Sequence, residues 1–152
     1  MVEEVGSALD SRLDSGTHLT EQDFQDLLES HIAGVVFEPD VVTVEGERVR
    51  GRIELVAELD DEYQGQVSLY RVHIATDQSE ADKAVTLIHE VLHTQDPLAK
   101  ILARSGADLA QYKNYFAREE VKVEAETQYF FAAHRDIAMT ALNRFEHPQP
   151  QA

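Results

Sequence analysis

The feature that most constrains this chain is the run His89-Glu90-Val91-Leu92-His93, in which two histidines stand four residues apart and a glutamate follows the first. On an α-helix, residues four apart lie one above the other on the same face. Both imidazoles can therefore reach one metal ion, and Glu90, one step round the helix, can reach a water bound to that ion. The spacing predicts that the segment is helical and that His89 and His93 are metal ligands.

The residues around the motif favour a helix over about 78–95. Asp77 stands three residues before Glu80, which is the spacing of an N-cap and its partner in a capping box. At the other end, Pro97 disfavours helical geometry at Asp96. Apolar residues recur within it at steps of three and four residues and form one stripe that can pack on a sheet, with the two histidines at its edge. These residues are Ala81, Ala84, Val85, Ile88 and Leu92. A metal site at such a boundary can be dry and still open to ligands.

Composition restricts what can hold the metal and where the protein acts. The 152 residues include no cysteine, so a metal must be held by histidine and carboxylate. The 29 acidic and 13 basic residues give a formal net charge of −16, which argues against nucleic-acid and anionic-membrane partners. Because the chain shows neither a secretory signal nor an 18-residue apolar segment, we expect a cytoplasmic protein. The acidity suits a high-salt cytosol and an ordinary acidic soluble protein equally well.

The pattern outside the motif predicts a single α+β domain over residues 1–146 and a disordered tail at 147–152. Thr20 is the expected cap of an N-terminal helix that Gly34 ends, and a shorter helix within residues 1–16 can precede it. Three or four strands of a small antiparallel sheet are then indicated by β-rich runs at 35–37, 41–44, 49–59 and 67–76. After the motif helix we expect a short helix at about 98–104 and a long C-terminal helix over about 109–145. An interruption of this long helix is expected near Asn114.

A catalytic zinc takes three protein ligands and keeps a fourth position open, so one more ligand is needed. At about 100° per residue, Glu120 and Glu124 fall on the inward face of the long helix, where carboxylates are expensive to bury unless a metal and its histidines compensate them. Glu119 and Glu126 fall toward solvent and are expected to be surface charges. His134 also faces inward, but it lies about 21 Å from Glu120 along a continuous helix, so we expect a core-edge histidine.

The two inward carboxylates allow two assignments. We favour Glu120 as the third ligand, with Glu124, one turn later, accepting the free N–H of a ligating histidine. The alternative makes Glu124 the ligand and Gln128 its supporter, with Thr127 as the small residue between them.

These residues resemble a known group of zinc peptidases. His-Glu-x-x-His followed by a helix with Glu-x-x-x-Asp, Asn or Glu is similar to the gluzincin pattern, in which the first carboxylate binds zinc and the second supports a ligating histidine. Residues 117–124, Ala-Arg-Glu-Glu-Val-Lys-Val-Glu, are similar to the Ala-Arg-Glu-Glu-x-x-Ala-Glu helix of ArdC-type antirestriction proteins, and more loosely to the Glu-x-x-Ala-Asn helix of the ImmA/IrrE family. The order of elements also resembles the minigluzincins. The resemblance covers about 67–133 and departs at Val123, usually Ala, and at Leu92, often Gly.

The motif and the resemblance imply a zinc metallopeptidase that acts on a peptide or protein substrate. Zinc on His89, His93 and Glu120 would acidify its bound water, and Glu90 would be the general base that moves the water's proton to the leaving amine. Candidate donors to the developing oxyanion are Tyr112, Tyr115 and His73.

The sequence also allows two alternatives to a metallopeptidase, each from a different functional class. A metal-bound regulatory or antirestriction protein with weak or no peptidase activity could use its acidic surface to compete for a basic DNA-binding face. Retention of Glu90 favours the enzyme, because a structural zinc has no use for a general base and prefers a closed fourth position. The other alternative is a helical protein in which the motif is accidental.

Overall fold

The computed structural model of the protein describes residues 18–43, 46–61, 65–95 and 113–148. These residues form four helices and one three-stranded sheet, which confirms the α+β class and the predicted order of the helices and the sheet. The elements in chain order are α1 (Glu21–His31), β1 (Ile32–Glu38), β2 (Gly51–Asp61), β3 (Gly65–Ala75), α2 (Glu80–His93), α3 (Lys113–Ala133) and α4 (Arg135–Glu146). None of the described helices is both long enough and apolar enough to cross a bilayer.

The sheet is mixed, whereas the sequence predicted an antiparallel one. β3 is the central strand; β2 pairs with it antiparallel, as expected, and β1 pairs with it parallel. The reason is the link from β1 to β2, which crosses the carboxyl end of β3: Ala75 N donates to Arg50 O at 2.9 Å, and Thr76 N donates to Glu38 O at 3.0 Å. Side-chain alternation identifies a strand but carries no information on its direction.

Several predicted boundaries shift. α1 begins after its predicted cap, Thr20, but it ends at His31 because β1 starts directly at Ile32. In the described part of the 41–44 run, Val42 forms an isolated β-bridge to Arg48. This part of the run does not form a fourth strand. The predictions for residues 1–16, 98–104, 109–112 and 149–152 fall outside the described residues.

The motif helix α2 begins later than predicted, at a different cap. Ser79 is the N-cap, and its Oγ accepts a hydrogen bond from Asp82 N at 3.1 Å. The predicted cap, Asp77, instead pairs with Arg48 at 2.9 Å. Serine and aspartate are both good N-caps, so the local sequence left the choice open. The whole motif nevertheless lies inside the helix.

The core lies between α2 and the sheet, and it fixes the motif in place. β3 turns Tyr70, Val72 and Ile74 into the core, and all three are buried. The α2 residues that are fully buried are Ala84, Leu87, Ile88, Val91 and Leu92. Because this face is apolar, the neighbouring face with the motif histidines is directed to the boundary between α2 and α3.

Candidate metal centre

Two histidines of α2 and one carboxylate of α3 converge at this boundary. His89 Nε2 lies 2.8 Å from Glu120 Oε2, and His93 Nε2 lies 3.1 Å from Glu120 Oε1. The two Nε2 atoms are 3.2 Å apart. These three residues form a group that could hold a metal ion, with one potential ligand atom from each within 4.8 Å of the others. The structure therefore brings together the three residues that the sequence predicted as ligands.

The spacing of these atoms suits an ion of the size of zinc. Ligand atoms about 2.0–2.1 Å from a tetrahedral zinc lie about 3.3–3.4 Å from one another. The distances in the site, 2.8, 3.1 and 3.2 Å, are slightly shorter, so a small outward rotation of the side chains would admit the ion. Two imidazole nitrogens and a carboxylate also form one of the common donor sets of zinc. The residues present fit the metal.

Glu120 and His89 stabilise each other's charged forms. Hydrogen bonds from His89 and His93 hold the pKa of the Glu120 carboxyl well below its usual range. Burial alone would lower the pKa of His89, but the hydrogen bond to Glu120 and the charges of Glu90, Glu120 and Glu124 outweigh it and raise the pKa. A metal would have to displace the proton of His89, so metal affinity should fall as the pH falls.

Glu90 is a buried carboxylate beside the histidine pair, with 9% of its surface exposed. Its Cγ packs close to the first residue of β2, Gly51, where an added Cβ would lie 3.2 Å away. Burial raises the pKa of Glu90, while the charges of His93 and His89 oppose that rise. A carboxylate whose pKa is moved toward neutrality is suited to accept and return a proton.

Glu124 contacts the other edge of the His89 ring. Its Oε1 lies 3.1 Å from His89 Nδ1, and its Oε2 accepts a hydrogen bond from Gln128 Nε2 at 2.8 Å. This is the position of a residue that orients a ligating histidine. The geometry favours Glu120 over Glu124 as the third ligand, because Glu120 faces the Nε2 atoms of both histidines.

The second histidine has no corresponding support within the described part of the chain. His93 is 6% exposed, and its Nδ1 is buried with no hydrogen-bond partner there. Ligating histidines usually donate their second N–H, so this atom is the least satisfied part of the candidate site.

The predicted orientation of the long helix was wrong. Glu119 and Glu126, predicted as surface charges, are buried at 3% and 1% exposure. The side chains of Glu120 and Glu124, predicted to face inward, are 55% and 52% exposed at the edge facing α2. The projection had assumed one continuous helix, but the chain breaks at His134 and α4 starts with its own phase. The interruption predicted near Asn114 stays a prediction, because α3 is described from Lys113 and the residues just before it lie outside the described structure.

Of the other residues that the sequence singled out, the described ones, His73 and His134, do not join the site. His73 points to the far side of the sheet, where its Nδ1 lies 2.7 Å from Glu38 and its Nε2 lies 2.7 Å from Glu54. Both nitrogens are therefore engaged, and His73 is not available as an oxyanion donor. Tyr112 and the side chain of Tyr115 lie outside the described part of the structure. His134 follows the last residue of α3, its side chain is 28% exposed, and its ring centroid lies 4.8 Å from that of the buried Phe130, as predicted for a core-edge histidine.

Comparison with known protein families, with characterised proteins and with solved structures finds no match for this chain.

Proposed function

We propose that the protein is a zinc-dependent metallopeptidase in which His89, His93 and Glu120 hold the metal and Glu90 is the general base. The observation that carries the proposal is the convergence of three zinc-type donors beside a buried glutamate. Zinc held there would supply a Lewis acid that polarises a peptide carbonyl and lowers the pKa of a water.

The donor set supports zinc and supports catalysis. Imidazole nitrogen and carboxylate oxygen suit zinc, whereas calcium and magnesium prefer oxygen donors alone. Only three donors converge among the described residues, which is the number found in catalytic sites with an open fourth position. A structural zinc would need a fourth protein ligand.

Glu90 would carry the proton through the reaction. Its carboxylate accepts a proton from the attacking water as the water oxygen bonds to the carbonyl carbon of the peptide. The carboxyl then gives this proton to the amide nitrogen as the C–N bond breaks, which yields a new carboxylic acid and a new amine and restores Glu90. At neutral pH the acid passes its remaining proton to the amine or to solvent and becomes a carboxylate. The burial of Glu90 supports this role, because a raised pKa makes both transfers feasible near neutral pH.

Glu124 and Gln128 would act on the metal ligands. Glu124 contacts the Nδ1 edge of His89, which keeps the Nε2 edge directed at the metal, and Gln128 holds the carboxylate of Glu124 in place. The resemblance to gluzincins implies a supporting carboxylate of this kind, and Glu124 is our candidate for it.

The proposal is tested by metal content and by peptide cleavage. Protein purified without added zinc is analysed for metal and is incubated with a mixed peptide library, followed by mass spectrometry, beside the Glu90→Gln variant. We expect about one zinc per chain in both proteins. We also expect cleavage by the wild type that chelator abolishes and that the variant reduces by about a hundredfold or more.

The outcomes separate the alternatives. Absence of zinc, together with no thermal stabilisation by added zinc, would overturn the metal site. Bound zinc without any cleavage by the wild type would favour a metal-bound interaction protein. Unchanged cleavage by Glu90→Gln would remove Glu90 from the mechanism.

A further inference from the structure

The helix that carries Glu120 and Glu124 has a largely polar buried face over residues 117–133, the part of α3 whose side chains are described. The buried side chains in this part are Glu119, Val123, Glu126, Thr127 and Phe130. Hydrophobic burial is non-directional, so the two apolar residues of this set constrain the rotation and the axial position of the helix only weakly. Directional contacts to its buried polar groups must therefore contribute to both.

Glu126 makes the most specific of these contacts. Its side chain is fully buried, its Oε2 accepts a hydrogen bond from Leu19 N at 2.7 Å, and its Oε1 lies 3.0 Å from His18 Nδ1. Each carboxylate oxygen is thus engaged, and both partners come from the segment just before α1. A buried carboxylate that loses such partners is strongly destabilised, so Glu126 can occupy this position only while the segment is docked.

Further contacts extend this attachment along α3. The His18 ring stacks on the Tyr129 ring with centroids 3.6 Å apart. At the end of the helix, His134 Nδ1 lies 2.9 Å from Glu21 Oε2. We call the whole arrangement the N-terminal clasp; it consists of His18, Leu19 and Glu21 on one side and Glu126, Tyr129 and His134 on the other.

We propose that the N-terminal clasp is a positioning device for the metal donors of α3. It fixes the rotation and the axial position of the helix, and it thereby sets where Glu120 and Glu124 meet the two histidines of α2. The inference rests on the proposed metal site.

The geometry explains how the clasp acts at a distance. Glu126 lies about 9 Å along the helix axis from Glu120, within one unbroken helix, so a shift at Glu126 is transmitted to Glu120. The histidines do not follow such a shift, because α2 is held separately by its apolar face on the sheet. Zinc tolerates little change in ligand distance, since its bonds are only about 2.0–2.2 Å long. A small displacement of α3 should therefore weaken metal binding, although no clasp residue is a ligand.

The test measures cobalt affinity, because tetrahedral Co²⁺ absorbs visible light and reports the geometry of a zinc site. Co²⁺ titrations are followed by visible absorption at a temperature where circular dichroism shows every variant to be folded. The clasp variant is His18→Ala with Glu21→Gln, which leaves the sequence of α3 unchanged. The matched control is Glu38→Gln, which disrupts another part-buried histidine–glutamate pair, on the far side of the sheet.

We expect the clasp variant to weaken Co²⁺ binding by about tenfold, the lower end of losses caused by residues that orient metal ligands. The visible absorption band of Co²⁺ bound to this variant should also shift in wavelength or lose intensity. The Glu38→Gln control should bind within about twofold of the wild type. His18→Asn should recover most of the affinity, because its amide N–H can still donate to Glu126.

Each outcome decides the proposal. Wild-type affinity in a folded clasp variant, or an equal loss in Glu38→Gln, would show that the clasp only stabilises the fold and would overturn the inference while leaving the metal site intact. If the double variant does not fold, the single variant His18→Ala is judged by the same criteria beside His18→Asn, with the larger loss expected for His18→Ala. Failure of the wild type to bind Co²⁺ or Zn²⁺ would overturn the metal site and this inference with it.

Discussion

The Nδ1 atom of His89 lies 3.1 Å from Oε1 of Glu124, on the edge of the ring opposite the Nε2 atom that faces Glu120. One imidazole is therefore held between two carboxylates that stand one turn apart on the same helix. Only Glu120 also reaches His93. The two carboxylates thus have different tasks, and these tasks can be separated by substitution.

Replacement of Glu120 should damage metal binding more than replacement of Glu124. Glu120→Gln removes a ligand and should nearly abolish tight zinc binding. Glu124→Gln leaves the ligands in place and should weaken binding by about 10–100-fold, as expected for the partner of a ligating histidine. Competition titration with a zinc chelator measures both affinities. A larger loss for Glu124→Gln would move the ligand assignment by one helical turn.

Replacement of Glu90 should stabilise the metal-free protein while it removes hydrolysis. Burial raises the pKa of Glu90 in the folded state above its value in the unfolded chain. As the pH rises, the carboxyl of Glu90 therefore loses its proton in the unfolded chain before it does so in the folded protein. The free energy of unfolding begins to fall above the pKa of the unfolded chain, and the loss is complete above the pKa of the folded protein. Glu90→Gln removes this cost.

Thermal unfolding in chelator checks that prediction. The melting temperature of Glu90→Gln should exceed that of the wild type at pH 7, and the difference should shrink toward pH 4, where the wild-type carboxyl is protonated in both states. A difference that is independent of pH would mean that the charge of Glu90 is not the source. A reversed difference at pH 7 would mean that the histidines stabilise the carboxylate more than burial destabilises it.

Local sequence patterns predicted the residues of the candidate site better than they predicted the structure that surrounds it. Helical spacing alone predicts that His89 and His93 share one face of a helix. Glu120 was selected by a projection that placed it inward, whereas it meets the histidines from the exposed edge of α3 that faces α2. The burial of Glu126 could not be predicted, because its partners, His18 and Leu19, lie more than a hundred positions away in the chain. A helical projection assigns a lone carboxylate to solvent unless such long-range partners are known. The direction of β1 escaped prediction for the same reason, since it is set by a crossing at the end of β3.

Thr127 offers a way to stabilise α3 without touching the site. It is fully buried, and its hydroxyl has no hydrogen-bond partner within the described part of the chain. Thr127→Val keeps the shape and removes the unsatisfied group, so it should stabilise the protein by about 1 kcal/mol. Zinc affinity should not change, since the side chain contacts no ligand.

Urea unfolding measures the effect on stability, and Thr127→Ser is the control. Serine keeps the hydroxyl and loses the methyl group, so we expect it to be less stable than the wild type by about 1 kcal/mol. If Thr127→Val were the less stable of the two variants, the hydroxyl would have a partner, such as an ordered water, that contributes to the fold.

Gly51 is required at the start of β2 because the motif helix passes directly over it. A Cβ at this position would overlap Thr86 Cγ2 and would approach His73 O and Glu90 Cγ to 3.1 and 3.2 Å. Rotation of the Thr86 methyl group away from β2 would also move the hydroxyl that donates to Gln78 Oε1, so either this hydrogen bond is lost or α2 moves from the sheet. Gly51→Ala should therefore destabilise the protein by about 1–3 kcal/mol, the usual cost of overpacking. It should also displace Glu90 and reduce peptide cleavage more than zinc binding.

A second substitution tests this cause directly. Thr86→Ser removes the overlapping methyl group and keeps the hydroxyl that donates to Gln78 Oε1 at 3.1 Å. In the Gly51→Ala background it should restore a large part of the lost stability, whereas in the wild type it should be mildly destabilising. Urea unfolding of the four proteins gives the coupling between the two positions. Additive effects would mean that the two side chains do not collide, and that contact between Thr86 and position 51 does not limit how closely α2 approaches β2.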